Sequence, residues 1–350
     1  MPAKYIIAAE LMKKRILNGD YALKNLPSVR ELARELDISY VTAQRAYVEL
    51  ERLAAVVRRP TGRLEINRQQ SPHVQVAFLT PTFHSLNLDI WRNAIDMAVS
   101  ARGGQVRPVL YTHWDDPHLT DVLDSFDGIF LAPLPSVIPA NVLPQLQRAG
   151  RLVILEENLS HIGIPSLTLL PPVFVQTMLD HLDTRGHRHI DCFNVQPMNP
   201  IIEQRIEQWQ LWMSAHHYHG HLINTPVAVH TSAYAQAYQT IAEGLRAGTL
   251  TATALFCTSL PAAVGANRAL YEQGIRAGAE IALCSIDGEG VAPYTIPSLT
   301  TLDAPDAAPF LHRCLDWMED PHADWVGPLW MHPRDPLVIA RESTAGEMCK

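Results

Sequence analysis

Residues 26–53 read Leu26-Pro-Ser-Val-Arg-Glu-Leu-Ala-Arg-Glu-Leu36, Asp37-Ile-Ser-Tyr-Val-Thr-Ala-Gln-Arg-Ala-Tyr47 and Val48-Glu-Leu-Glu-Arg-Leu53. This stretch predicts two short amphipathic helices joined by a tight turn. Ser28 with Glu31 has the spacing of a capping box, in which side chain and backbone cap each other reciprocally. Ser39 stands where an N-cap belongs, just before the second helix. Within that helix Ala43, Ala46, Leu50 and Leu53 share one stripe at helical spacing and face a core. Tyr40, Gln44 and Arg45 fall on another face. A capped pair of this kind is the build of a helix-turn-helix reader, whose second helix enters the DNA major groove.

The flanks extend the pattern. Residues 5–18 predict an earlier helix with Ala8, Leu11, Met12 and Ile16 on one side and Gly19 at its end. After the second helix, Val56 to Ile66 places two short apolar runs around an arginine-bearing Pro60-Thr61-Gly62 turn, which predicts a β-hairpin wing. The run from Tyr5 to Ile66 resembles the GntR-type winged helix, including the signature Leu-Pro-Ser-x-Arg-Glu-Leu-Ala at 26–33. The resemblance implies DNA contact by Arg30, Thr42, Arg45 and the wing at Gly62 and Arg63. Ser39, Tyr40 and Gln44 join that set from their place at the head of the recognition helix. Here Ser39-Tyr40-Val41-Thr42-Ala43-Gln44 stands where the family usually has Ser-Arg-x-Thr-Val-Arg, so two common arginines are replaced. Gln44 suits an adenine edge.

Charge divides the chain in the same place. The 350 residues carry formal net charge −8. Residues 1–70 hold 13 Lys+Arg against 8 Asp+Glu (+5), and the remainder holds 15 against 28 (−13). A basic head on an acidic body confines phosphate contact to the head. Five scattered cysteines with no Cys-x-x-Cys pair predict a reducing cytoplasm rather than a disulfide frame or zinc ribbon. The first helix carries Lys13, Lys14 and Arg15, unlike a signal peptide, and no apolar run is long enough for a membrane span. Residues 67–73 predict a polar linker between a head at 1–66 and a body at 74–344.

In the body, apolar runs at 74–79, 106–111, 127–133, 152–155, 190–195, 254–257 and 281–286 alternate with helical patterns at 90–98, 174–183, 202–215, 234–247 and 262–273. That alternation predicts an α/β fold with parallel sheets, whose ligands bind at the carboxyl ends of the strands. The body resembles the effector domain of the LacI/GalR family, itself like a periplasmic binding protein. The matching pieces include Asp127-Gly128-Ile129-Phe130-Leu131, His161 to Leu167, Arg185-Gly186-His187-Arg188-His189-Ile190, Arg205-Ile206-Glu207-Gln208-Trp209, Ser285-Ile286-Asp287-Gly288, Pro297 to Thr301 and Leu337 to Ser343. The expected lobes are 74–168 with 300–324, and 169–299 with 325–344. A GntR-type head on such a body is the build of arabinose-repressor-like regulators.

By this resemblance Arg205 and Asp287 contact a small polar effector, and Glu156 stands where a strand-end acid is common. Arg205 supplies a guanidinium fork and Asp287 an acceptor for two hydroxyls. Gln208 replaces a family glycine, and Thr258-Ser259-Leu260 replaces an Asn-Asp pair, which leaves Ser259 as the polar candidate there. Phe83 and Trp91, with Trp114, are candidate stacking plates for a sugar ring. His216 to His221 reads as a solvated loop, with the alternative that His219 and His221 share one face of a strand as a pair of metal ligands does; no metal and no other cofactor is expected.

No nucleophile elbow, phosphate-binding loop or His-Glu-x-x-His motif is present. The lack of any lysine between Lys24 and Lys350 excludes a Schiff-base enzyme. The expected function is a non-enzymatic, ligand-responsive repressor of carbohydrate-use genes. It binds a duplex operator as a homodimer, with a sugar-like effector. The competing expectation is a solute-binding or enzymatic body whose basic head only binds proteins.

Overall fold

The computed structural model describes residues 3–17, 20–21, 26–59, 62–67, 74–83, 85–123, 125–228, 230–303, 305–320 and 322–346. The head comprises α1 (Lys4–Leu17), α2 (Val29–Glu35), α3 (Tyr40–Arg52) and an antiparallel hairpin of β1 (Val56–Arg58) and β2 (Leu64–Ile66). Both expected caps form. The Ser28 hydroxyl accepts from the Glu31 amide at 3.2 Å while the Glu31 carboxylate accepts from the Ser28 amide at 2.6 Å. The Ser39 hydroxyl accepts from the Thr42 amide at 3.2 Å.

Ala8, Ala9, Met12, Ile16, Leu32, Ala43, Ala46, Tyr47, Leu50 and Val56 make one small core. Two expected core residues depart from the pattern. Leu11 is exposed, because Ala9 rather than Leu11 flanks the 8-12-16 stripe, and Leu53 is only half-buried as the C-cap of α3. Tyr47 joins the core instead and donates its hydroxyl to the Pro27 carbonyl. Gly19, Pro60, Thr61 and most of the expected linker lie outside the described residues.

The body contains two six-stranded sheets. The first holds β3 (Gln75–Pro81), β4 (Gln105–Tyr111), β5 (Gly128–Leu131), β6 (Leu152–Leu155), β7 (Ser166–Leu167) and β13 (Trp330–Met331), in the order β13-β7-β6-β5-β3-β4. The second holds β8 (Ile190–Asn194), β9 (Leu222–Asn224), β10 (Ala254–Cys257), β11 (Ala282–Ser285), β12 (Thr300–Leu302) and β14 (Val338–Ile339), in the order β14-β12-β11-β10-β8-β9. Every pairing is parallel except β12 with β14.

Helices cover both faces of each sheet, as buried parallel strands require. They are α4 (Leu86–Ser100), α5 (Pro117–Leu123), α6 (Leu143–Arg148) and α11 (Ala308–Glu319) on the first, and α7 (Val175–Thr184), α8 (Pro200–Ala215), α9 (Ala233–Ala247) and α10 (Leu260–Glu272) on the second. Strand alternation feeds two cores per sheet. In β3, Val76 and Phe78 face one core, and Ala77 and Leu79 the other.

The chain passes between the sheets three times. Leu169 belongs to a core of the first sheet and Leu170 to a core of the second. The chain returns between Leu302 and Ala307, and crosses again between Met331 and Val338. The expected lobe limits are corrected at two places. Residues 300–302 pair in the second sheet, and 330–331 pair in the first. Two-residue strands take their place from their partners, and no periodicity in so short a run announces it.

Candidate functional sites

On the head, α3 buries Ala43, Ala46, Tyr47 and Leu50 and turns Tyr40, Gln44 and Arg45 to solvent. Thr42 is half-buried, and its hydroxyl lies 2.8 Å from that of Ser39. Arg30 on α2 is exposed. Neither Arg30 nor Arg45 has a polar partner among the described residues. The hairpin arginines differ. Arg58 forks onto Glu51 with two bonds of 2.9 Å, and Arg59 binds Glu65 at 2.7 Å. Gly62 at the hairpin end has φ +81°, a conformation glycine adopts without strain. It and Arg63 are exposed.

In the body, the chemistry gathers at the carboxyl ends of strands from both sheets, as open α/β sheets favour. Glu156 directly follows β6, with φ +60°, a left-handed backbone that strains a non-glycine residue. Two bonds hold it there. Its amide donates to the Leu167 carbonyl at 2.8 Å, and its carboxylate accepts from Trp91 Nε1 at 3.1 Å. Arg205 projects from α8 and is 8% exposed. One Nη1 donates to the Thr258 carbonyl at 2.7 Å and stands 3.9 Å from the Asp287 carboxylate. Its Nε is buried without a partner among the described residues. Asp287 follows β11, and its other oxygen accepts from the Leu260 amide at 2.9 Å, capping α10 from outside the helix. Ser259, the N-cap of α10, leaves that amide alone and accepts from Gln196 Nε2 at 3.2 Å.

Around them lie groups that sequence reasoning missed. Asn194 at the end of β8 accepts from Thr258 Oγ1 at 2.7 Å and donates to Asn224 at 2.9 Å. Glu289, two residues beyond Asp287 with φ +42°, is half-buried. The available signal was position alone: a polar residue closing an apolar strand, and a second acid beside the first.

The electrostatics are those of a largely desolvated acid cluster with one guanidinium. Burial pushes the Glu156 carboxyl up to about 7, partly opposed by Arg205 and by the Trp91 hydrogen bond. Burial and Asp287 push Glu289 up to about 8. Burial raises Asp287 against the pull of Arg205, and lowers Arg205 itself. Glu156 and Arg205 come from different sheets, yet each alters the other's proton affinity. Three carboxyls around one arginine form a cluster that can accept and donate hydrogen bonds near neutrality.

Of the expected contacts, Arg205, Asp287, Ser259 and Glu156 fall in this region. Phe83 is half-buried on the loop after β3. Trp91 is corrected: its ring is 1% exposed in a first-sheet core, so only its Nε1 reaches the site, as a support for Glu156. Trp114 is likewise core, tilted on Tyr111 with its Nε1 on Ser136.

Residues 179–344 match the model of the periplasmic binding protein-like domain. A comparison with curated protein sequences finds no match. Among solved structures, the chain is similar to the lac repressor dimer bound to operator and the anti-inducer ONPF (16% identity, TM-score 0.64, covering 79% of this chain and 96% of that one). It is also similar to transcription regulator CcpA of Lactococcus lactis (18%, 0.62, 78% and 99%). A LacI-family transcriptional regulator from Sanguibacter keddieii aligns comparably (21%, 0.62, 78% and 100%). At these identities the likeness establishes the fold: a two-lobed, periplasmic-binding-protein-like body.

Proposed function

We propose that this protein is a ligand-responsive DNA-binding transcriptional regulator of the cytoplasm, a repressor of carbohydrate-use genes. Its head reads an operator, and its body closes on a small polyhydroxyl effector. The observation that carries the reading is Arg205. It is a buried guanidinium whose Nε has no partner among the described residues, 3.9 Å from Asp287 of the second lobe and within electrostatic reach of Glu156 of the first. A vicinal diol bridging these groups draws the lobes together, and a ligand shifts such an equilibrium by its differential affinity for the closed state. Coupling of this kind is typically about 1–3 kcal/mol and reciprocal between effector and DNA. With Glu156 and Glu289 holding protons near neutrality, the site offers both donors and acceptors to the hydroxyls of a neutral polyol.

The exposed face of α3 with Arg45, and the exposed Arg30 of α2, support the DNA role. A homodimer fits a two-fold operator. A groove of about 670 Å³, lined in part by exposed Ile296 and Tyr271 with Ile275 and Pro297, provides apolar area for a second copy. One structural neighbour is itself a repressor dimer on its operator.

The test is a thermal-shift screen of the full chain against neutral aldoses, polyols, amino sugars and sugar phosphates. It is paired with duplex binding by fluorescence anisotropy. A neutral or amino sugar should raise the melting temperature of the wild type, because it binds only the folded state. Arg205→Ala should lose that rise while retaining its affinity for DNA. A ligand response that survives Arg205→Ala removes the pocket assignment, and absence of DNA binding at low salt removes the regulator.

A further inference from the structure

A second cluster of chemistry lies at the opposite end of the second sheet from the cleft. His189 immediately precedes β8, and Asp191 is the second residue of that strand. His219 and His221 lead into the edge strand β9. His189 pairs with His219 in a parallel bridge, and Cys192 then pairs with Leu222. Alternate residues of a strand share a face, so the four side chains form a two-by-two array on two neighbouring strands. Gly220 permits this approach: a Cβ there would lie 2.0 Å from the Ile190 carbonyl oxygen.

Three of the four converge on one point. Asp191 is 2% exposed at its side chain, and its Oδ1 accepts from the His221 backbone amide at 2.7 Å. The same oxygen stands 3.6 Å from His189 Nε2 and 3.7 Å from His221 Nδ1, and all three ligand atoms lie within 4.8 Å of one another. Neither imidazole contact is short enough for a hydrogen bond. His189 Nε2 is buried and has no partner among the described residues, a costly state for a polar atom. The only ion-pair partners of this buried carboxylate among the described residues are these two imidazoles.

One ion relieves both deficits. A metal at about 2.0–2.2 Å from a carboxylate oxygen and an imidazole nitrogen separates those atoms by roughly 3.4–3.7 Å for angles of about 110–120°. The two oxygen–nitrogen gaps are of this size, and the two imidazole nitrogens, within 4.8 Å of each other, come onto one ion by a small rotation of the exposed His221 ring. We propose that His189, Asp191 and His221 bind a divalent transition metal of the zinc, nickel or copper class. Two imidazoles with a single carboxylate select such ions over magnesium or calcium. The His221 side chain is 75% exposed and gives the ion an entry path. Exposed His219, its ring centroid 4.7 Å from that of His189, flanks the site on the solvent side. The ion would tie the edge strand β9 to β8, about 10 Å along that strand from Asn194 in the cleft.

The test uses untagged full-length protein stripped with EDTA and titrated with cobalt(II), nickel(II) and zinc(II), followed by calorimetry, by cobalt absorption and by melting temperature. One ion per chain should bind and raise the melting temperature. Affinity should fall at least tenfold in Asp191→Asn and in His221→Ala; the second alters an exposed side chain and keeps the fold testable if the first does not fold. The double variant His216→Ala/His217→Ala should bind as the wild type does. No binding by the wild type, binding that survives His221→Ala, or binding lost with His216 and His217 overturns the site; the last outcome marks capture by exposed imidazoles alone.

Discussion

At the scale of single residues, the pocket acids have a consequence for pH. Glu156 and Glu289 hold their protons up to about 7 and about 8, whereas an unfolded chain releases them near the ordinary glutamate value of 4.5. Between those limits the native state binds more protons than the unfolded one, so stability falls as pH rises across the window. Each unit of such a shift is worth about 1.4 kcal/mol. Melting temperature should therefore decline from pH 5 to pH 8, and Glu156→Gln should flatten the decline. Parallel curves for the two proteins would show that Glu156 ionises freely. The head offers a second residue-level contrast. Arg45 has no partner among the described residues, while Arg59 is held by Glu65. Arg45→Ala should weaken DNA binding severalfold and reduce the log–log salt slope by about 0.9, the contribution of one phosphate. Arg59→Ala should do less in the same anisotropy titration, and equal effects would refute the distinction.

At the scale of elements, the caps decide where the head's helices begin. α2 has only seven residues and could not persist alone, since short isolated helices are marginal. Ser28→Ala removes one half of its capping box and should cost about 1 kcal/mol. All seven tryptophans lie at position 91 or beyond. The loss should therefore shift the far-ultraviolet circular dichroism melt while leaving the tryptophan fluorescence melt in place; movement of both together would mean that head and body unfold as one. The same elements show what could be read in advance. Leu152–Leu155 and Ala254–Cys257 are unbroken apolar runs between turns and were legible as buried strands. Ser166–Leu167, Trp330–Met331 and Val338–Ile339 were not, because two-residue strands are defined by their neighbours. Arg205 and Asp287 could be found by resemblance and spacing. Glu289 and the Asn194 network could not, since their roles arise only when separate strand ends meet.

At the scale of the whole molecule, the division of charge matches the division of the fold, a basic three-helix head against an acidic two-sheet body. The three crossings at 169–170, 302–307 and 331–338 have a mechanical consequence. A single strap would let the halves swivel in any direction; three side by side resist torsion and leave bending as the soft motion, so the cleft opens like a book rather than a ball joint. They also provide redundancy. A protease that cuts only the last strap should leave a nicked particle that migrates as the uncut one on a native gel. It should separate into two fragments only under denaturation. Spontaneous parting of the nicked pieces in buffer would mean that the halves are held together by that strap alone.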